Sequence, residues 1–160
     1  MSCRICKSPL KEILNFGKIN LVGQFYKKKN KSKKYQITLC FCSKCKHVQI
    51  KQRINPDLLF KNYLWETGIS NSNIIIINKL IRYLKKFNIK KKYKVLEIAS
   101  NDGIFLNILQ KKLNCLAVGI DPAKNLAKKN YFKNIKRIVD YFNYNSSKKI
   151  KKKFGKFDFI

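Results

Sequence analysis

At 160 residues and 45% hydrophobic, the chain has room for one ordinary domain, or a small metal-stapled module and part of a larger one, and is too apolar to be disordered. Its net charge of +29 invites a nucleic-acid reading, but the excess is lysine. Arginine, which makes the bidentate contacts to phosphates and base edges, stands only at Arg4, Arg53, Arg82 and Arg137. Lysine spread through every segment, with abundant Asn and Ile, fits a biased codon supply and a solvated surface, so no specific nucleic-acid partner is expected.

The amino-terminal third carries Cys3-Arg4-Ile5-Cys6 and Cys42-Ser43-Lys44-Cys45. Each C-x-x-C turn can present two sulfurs to one ion, and two such turns supply the four thiolates of a tetrahedral structural zinc site. Between them lie strand-like pieces, Glu12 to Phe16 and Tyr35 to Leu39, and a basic loop, Lys27 to Lys34, so a ribbon-like module over residues 1–55 is expected. Cys40 competes with Cys42, because alternation puts both on one strand face; the spacing to Cys45 favours Cys42. His47 reads as a strand position and Cys115 as a small core residue. Four closed thiolate positions leave no place for substrate, so this zinc would stabilise rather than catalyse.

Residues 56–92 read as a helical connector. Pro56 to Tyr63 suggests a short helix with proline in its first turn, and Tyr63 to Gly68 a polar-aromatic loop whose Tyr63 and Trp65 are expected to pack in a core. Ser70 or Ser72 can cap a further helix with an apolar stripe of Ile76, Ile77, Leu80, Ile81, Leu84 and Phe87.

From residue 93 strands and helices alternate: strands at Val95 to Ala99, Cys115 to Ile120, Arg137 to Val139 and Phe157 to Ile160, with helices at Ile104 to Leu113, Ala123 to Lys129 and after Ser146 or Ser147. This plan predicts an α/β domain with a parallel sheet and right-handed crossovers, whose ligands bind at the carboxyl ends of the strands. The rare acids concentrate there. Glu97 lies near the end of the first strand, before Ala99-Ser100-Asn101-Asp102-Gly103, and Asp121 follows the second. A turn after the first strand and an acid after the second suit a nucleotide-type cofactor. The turn lacks G-x-G-x-x-G, which argues against a dinucleotide pyrophosphate.

Cys3-Arg4-Ile5-Cys6, Cys42-Ser43-Lys44-Cys45-Lys46-His47-Val48-Gln49, Asn62-Tyr63-Leu64-Trp65, Glu97-Ile98-Ala99-Ser100-Asn101-Asp102-Gly103 and Gly119-Ile120-Asp121-Pro122-Ala123, in this order, resemble the bacterial C-methyltransferases with an amino-terminal zinc-binding domain, including deoxysugar C-3 methyltransferases. The resemblance spans essentially the whole chain. It implies a zinc-ribbon-like module, with Cys3, Cys6, Cys42 and Cys45 on zinc, followed by the first half of a class I, Rossmann-like methyltransferase domain over residues 93–160. It also implies S-adenosylmethionine as methyl donor and a sugar nucleotide, a linked keto sugar, as acceptor. Carried over by position, Glu97, Ala99, Ser100, Asn101, Asp102 and Gly103 would hold the methionine part. Asp121, with Pro122, would bind the ribose, and Asp140 and Phe142 would flank the adenine. Ala99 stands where many relatives have glycine, and Asp121 where glutamate is frequent.

Carbon methylation needs a base to form an enolate, and no residue here has family support for that role. The chain stops inside its fourth apolar run, so an amino-terminal piece of a longer enzyme, inactive alone, or a degraded gene product, is expected. A reducing cytoplasm and no membrane partner are the expected setting. The alternative reading is a basic zinc-ribbon nucleic-acid-binding protein, whose affinity would fall steeply with salt.

Overall fold

The computed structural model describes residues 1–23, 33–87, 93–129 and 132–160, which form two compact units, Met1–Leu59 and Phe60–Ile160. Residues 27–32 of the expected basic loop lie outside the described residues.

The first unit is a three-stranded antiparallel sheet in the order β1 (Lys11–Asn20), β2 (Lys34–Phe41), β3 (Val48–Ile50). The β1–β2 register shifts between Glu12 and Leu14 and between Asn15 and Gly17. Extra residues at such points bend a strand and raise its twist. The unit has little apolar core. Ile13, Leu14, Phe16 and Ile19 of β1 are exposed, whereas Thr38, Cys40 and Gln49 are buried. Polar groups therefore tie the strands. The Gln52 side chain accepts from Thr38 N–H at 2.9 Å, and Gln49 Oε1 accepts from Arg4 N–H at 2.9 Å. The Arg4 guanidinium donates to the carbonyls of Ile50 (2.7 Å) and Gln52 (3.1 Å). So small an apolar core leaves stability to a metal staple.

A single helical turn, α1 (Asp57–Phe60), follows Pro56 at the border between the units. It is shorter than the expected helix.

In the second unit α2 (Asn71–Lys85) precedes a parallel sheet of β4 (Lys94–Ile98), β5 (Leu116–Ile120) and β6 (Lys136–Ile138), with α3 (Ile104–Leu113) and α4 (Lys124–Lys129) as crossovers and α5 (Tyr144–Phe154) after β6. Strand alternation sends successive side chains to opposite faces. Val95 and Ala117 thus join Ile77, Ile81, Leu106, Leu109, Cys115 and Ile135 in one apolar layer. Leu96, Val118 and Ile120 meet Ile150 of α5 in the other. Helices on both faces make this a doubly wound α/β plan. The last residues return to the edge of β4 away from β5: Phe159 bridges Val95 in parallel, and Leu96 N–H donates to Phe159 O at 3.0 Å. The expected fourth strand is a single bridge.

Three local readings are corrected. In α2 the face turned inward is Ile74, Ile77, Ile81 and Leu84, while Ile76 and Leu80, and Phe87 just past the helix end, are exposed. The helix after β6 opens at Tyr144, with Asn143 as its cap. Asn143 Oδ1 accepts from the N–H groups of Asn145 and Ser146, and Ser146 Oγ accepts from Asn143 N–H. Such a reciprocal box contributes about 1 kcal/mol. Trp65 is 48% exposed rather than core, its ring 5.7 Å from that of Tyr63.

Candidate metal centre and cofactor turn

The two C-x-x-C turns are built alike. Cys3 N–H donates to Ser8 O at 2.8 Å and Lys7 N–H to Cys3 O at 3.0 Å; Cys42 N–H donates to His47 O at 2.9 Å and Lys46 N–H to Cys42 O at 2.8 Å. In each, the lysine after the second cysteine takes a left-handed φ, 64° at Lys7 and 60° at Lys46. Each turn thereby folds back and aims both sulfurs at one point. All four sulfurs of Cys3, Cys6, Cys42 and Cys45 lie within 4.8 Å of one another, with Cys3–Cys45 at 3.6 Å and Cys6–Cys42 at 3.4 Å. Zinc–sulfur bonds of about 2.3 Å in a tetrahedron put sulfurs about 3.8 Å apart, so the donor set fits Zn²⁺.

Cys40 is buried but outside this cluster, because β2 ends at Phe41 and Cys42 turns away from the strand alternation. His47 supplies its backbone carbonyl. Without metal the thiols are unequal. The Ser8 hydroxyl and N–H lower Cys6 to about 6. Cys45 is pushed up to about 12, the pull of the His47 backbone being outweighed by the Cys6 sulfur and burial. A metal ion that takes all four as thiolates would remove that inequality.

The turn between β4 and α3 carries three left-handed residues, Ala99 (φ 61°), Asn101 (φ 49°) and Gly103 (φ 83°). A Cβ on Gly103 would lie 2.5 Å from Ile135 Cδ1, and one on Gly119 of β5 would lie 2.5 Å from Ser100 Oγ. Glycine at these two points lets the turn settle against the sheet.

Every backbone N–H from Ala99 to Ile104 has an acceptor inside the protein. Ala99 and Ser100 donate to Ile120 O (2.9 and 3.2 Å), and Asn101 to Asp121 Oδ2 (2.8 Å). Asp102 donates to Asn101 Oδ1 (2.8 Å), Gly103 to Ser100 O (2.8 Å) and Ile104 to Asp102 Oδ1 (3.1 Å). The segment before α2 buttresses the same turn. Thr67 N–H donates to Asn101 Oδ1 (2.9 Å), Gly68 N–H to Asp102 Oδ2 (2.7 Å), and Asn101 Nδ2 to Trp65 O (3.0 Å). Further back, Tyr63 and Asn125 bond reciprocally, and Glu66 pairs with Lys129. From β6, Arg137 donates to the carbonyls of Asn101 and Asp102. Thr67, Gly68, Gly119 and Arg137 carry no spacing signal toward the turn, since each reaches it through the tertiary fold.

The predicted site residues fall along the carboxyl edge of the sheet. Asp121 follows β5 directly, and its second oxygen accepts from Ala123 N–H at 2.8 Å. Half-buried Pro122 lies between those two residues. Asp140, two residues past β6, is exposed and accepts from Tyr141 N–H; Phe142 lines an apolar groove with Leu96, Ser147, Ile150 and Phe157 beside α5. Ser100 and Asp102 are buried.

Among the described residues, Glu97 Oε2 is the buried side-chain oxygen without a hydrogen-bond partner. Burial, then the neighbouring Asp102 and Asp121 charges, push its carboxyl up to about 8, against the opposing Arg137 charge. A turn whose N–H groups from Ala99 to Ile104 are all engaged offers a phosphate no backbone donors. What it offers a ligand cation is an acceptor that gains by ionising.

Two comparisons bear on this arrangement. Residues 3–60 match the family described as "Putative zinc binding domain". The chain is also 25% identical over 130 residues to the C-methyltransferase NovU of Streptomyces niveus, an alignment covering 78% of this chain and 31% of that protein. The chain thus spans under a third of the relative's length. The four-sulfur cluster lies within the matched segment. Residues 3–60 are thus similar to this zinc-binding domain family, and most of the chain is similar to part of a C-methyltransferase.

Proposed function

We propose that this chain is the zinc-binding and cofactor-binding part of an S-adenosylmethionine-dependent C-methyltransferase whose acceptor is a nucleotide-linked keto-deoxysugar. One observation carries the cofactor reading: the unpartnered Glu97 oxygen behind a turn with no free N–H from Ala99 to Ile104. The cofactor has an ammonium and a sulfonium, so a carboxylate acceptor suits it and a pyrophosphate cradle does not. When bound, it supplies an electrophilic methyl group.

Glu97 would accept from the ammonium, gaining a charge-assisted bond where its oxygen now has none. Asp121 would accept from the ribose hydroxyls. Each of its oxygens already takes one backbone N–H, but a carboxylate has about four lone-pair sites, so capacity remains. Asp140 and Phe142 would flank the adenine, and Trp65, tied to the turn through its carbonyl, would shield the entrance. The zinc holds the first unit folded. The sugar acceptor rests on the resemblance, and the base that deprotonates its carbon is assigned to no residue of this chain. On this reading the chain alone binds cofactor and does not turn over.

Titration calorimetry of S-adenosylmethionine against the chain tests the reading. Binding is expected, weakened by about a hundredfold in Asp121→Ala, which loses two ribose contacts of about 1.4 kcal/mol each. Asp121→Asn keeps one acceptor oxygen and is expected to fall between. Absence of binding to the folded wild-type chain, or equal affinity in Asp121→Ala, overturns the site.

A further inference from the structure

We propose that Arg137 is the positioning residue of the cofactor turn, holding residues 99–103 in their left-handed path by tying the Asn101 and Asp102 carbonyls to the third strand. Its importance for cofactor rests on the reading above; the tie itself does not. Three observations carry it. Nη1 donates to Asp102 O at 2.8 Å and Nη2 to Asn101 O, so one planar fork spans two consecutive carbonyls. The spanned residues lie inside the run Ala99, Asn101, Gly103, where two non-glycine residues hold a φ that costs about 1–2 kcal/mol each and persists only when its surroundings over-determine it. Arg137 is also the cation among Glu97, Asp102 and Asp121, so the group that fixes the backbone offsets the acids' mutual repulsion. A lysine ammonium could keep the charge but not the two-pronged geometry. Arginine is scarce in this lysine-rich chain, and here its particular shape is used.

The test uses Arg137→Met and Arg137→Lys in the full 160-residue chain, with amide hydrogen exchange followed residue by residue and S-adenosylmethionine affinity measured by calorimetry. In Arg137→Met, exchange at Asn101 and Asp102 is expected to accelerate at least about tenfold more than in β4 and β5, and affinity to fall about tenfold or more, the effect of leaving two part-buried carbonyls without this donor. Arg137→Lys is expected to keep the unfolding midpoint near wild type yet lose affinity by about threefold, a loss that a purely stabilising arginine would not produce. Should Arg137→Met fail to fold, the lysine variant decides. Uniform acceleration across the unit, or an unchanged turn in both variants, overturns the proposal. A wild-type chain that binds no cofactor would sink the functional reading, while the exchange arm would still decide the tie.

Discussion

Glu97 is the residue on which the site's electrostatics turn. Its folded pKa of about 8 lies above the ordinary 4.5, so the folded protein holds a proton there that the unfolded chain has released. The stability belonging to this protonated state is complete below pH 4.5 and is lost as pH rises through about 8. Glu97→Gln, which stays neutral, is expected to be more stable than wild type at pH 8 by a few kcal/mol and nearly equal at pH 4, read from denaturant midpoints. The same proton opposes a cationic ligand. Wild-type affinity for S-adenosylmethionine, taken relative to Glu97→Gln, should therefore rise from pH 6 to pH 8; a flat ratio would refute that coupling. Ala99 gives an independent check. Its left-handed φ costs about 1–2 kcal/mol, against about 0.5–1 kcal/mol of extra chain entropy for glycine, so Ala99→Gly should stabilise by up to about 1 kcal/mol. The placement of Glu97, Asp102 and Asp121 at the carboxyl edge of the sheet was legible in the sequence because acids are scarce and fall at strand ends. Arg137 and Gly68 were not, since their partners are the backbone carbonyls and carboxylate of a turn distant in sequence.

At the scale of elements, the paired C-x-x-C turns were readable down to the ligand set except at one point. Strand alternation left Cys40 and Cys42 equivalent, the spacing to Cys45 favoured Cys42, and the end of β2 at Phe41 gives the structural reason. Cys42→Ser is expected to abolish stoichiometric zinc and unfold Met1–Leu59. Cys40→Ser should keep the metal and cost only core packing, measured by metal analysis and by amide spectra of residues 1–59. Metal retained by Cys42→Ser and lost by Cys40→Ser would reverse the assignment. Chelation should have the effect of Cys42→Ser, because exposed Ile13, Leu14 and Phe16 show how little apolar burial the first sheet provides. The parallel strands were readable from their short apolar runs. The buried face of α2 was not. The run Ile74 to Ile77 feeds two overlapping helical stripes, and packing in the layer shared with α3 selects Ile74, Ile77, Ile81 and Leu84.

For the whole molecule, 37 basic side chains against 8 acidic ones set the balance of long-range forces. Pairs such as Lys51–Glu12 and Lys129–Glu66 give a few short attractions, while repulsion among the lysines acts over the entire surface. Salt must weaken that long-range repulsion more than it weakens the close pairs. The unfolding midpoint is expected to rise between about 0.01 and 0.3 M salt, as the screening length drops from about 30 Å to under 10 Å. A midpoint that falls would mean the local pairs dominate. Among the described residues no helix is long and apolar enough to cross a membrane. The doubly wound plan was visible because both faces of the sheet need apolar strands. The return of Phe159 to the free edge of β4 was visible only as a final apolar run.

The closed hydrogen-bonding of the turn from Ala99 to Ile104 has a kinetic consequence. A loop that orders only around its ligand slows capture, because few encounters find it in the right shape. Here folding has already fixed the shape, so the entropy of ordering is settled before the ligand arrives. Association should then be a single fast step with little dependence on which thioether or sulfonium analogue is offered. On the reading proposed above, differences in affinity among such analogues should appear almost wholly in residence time.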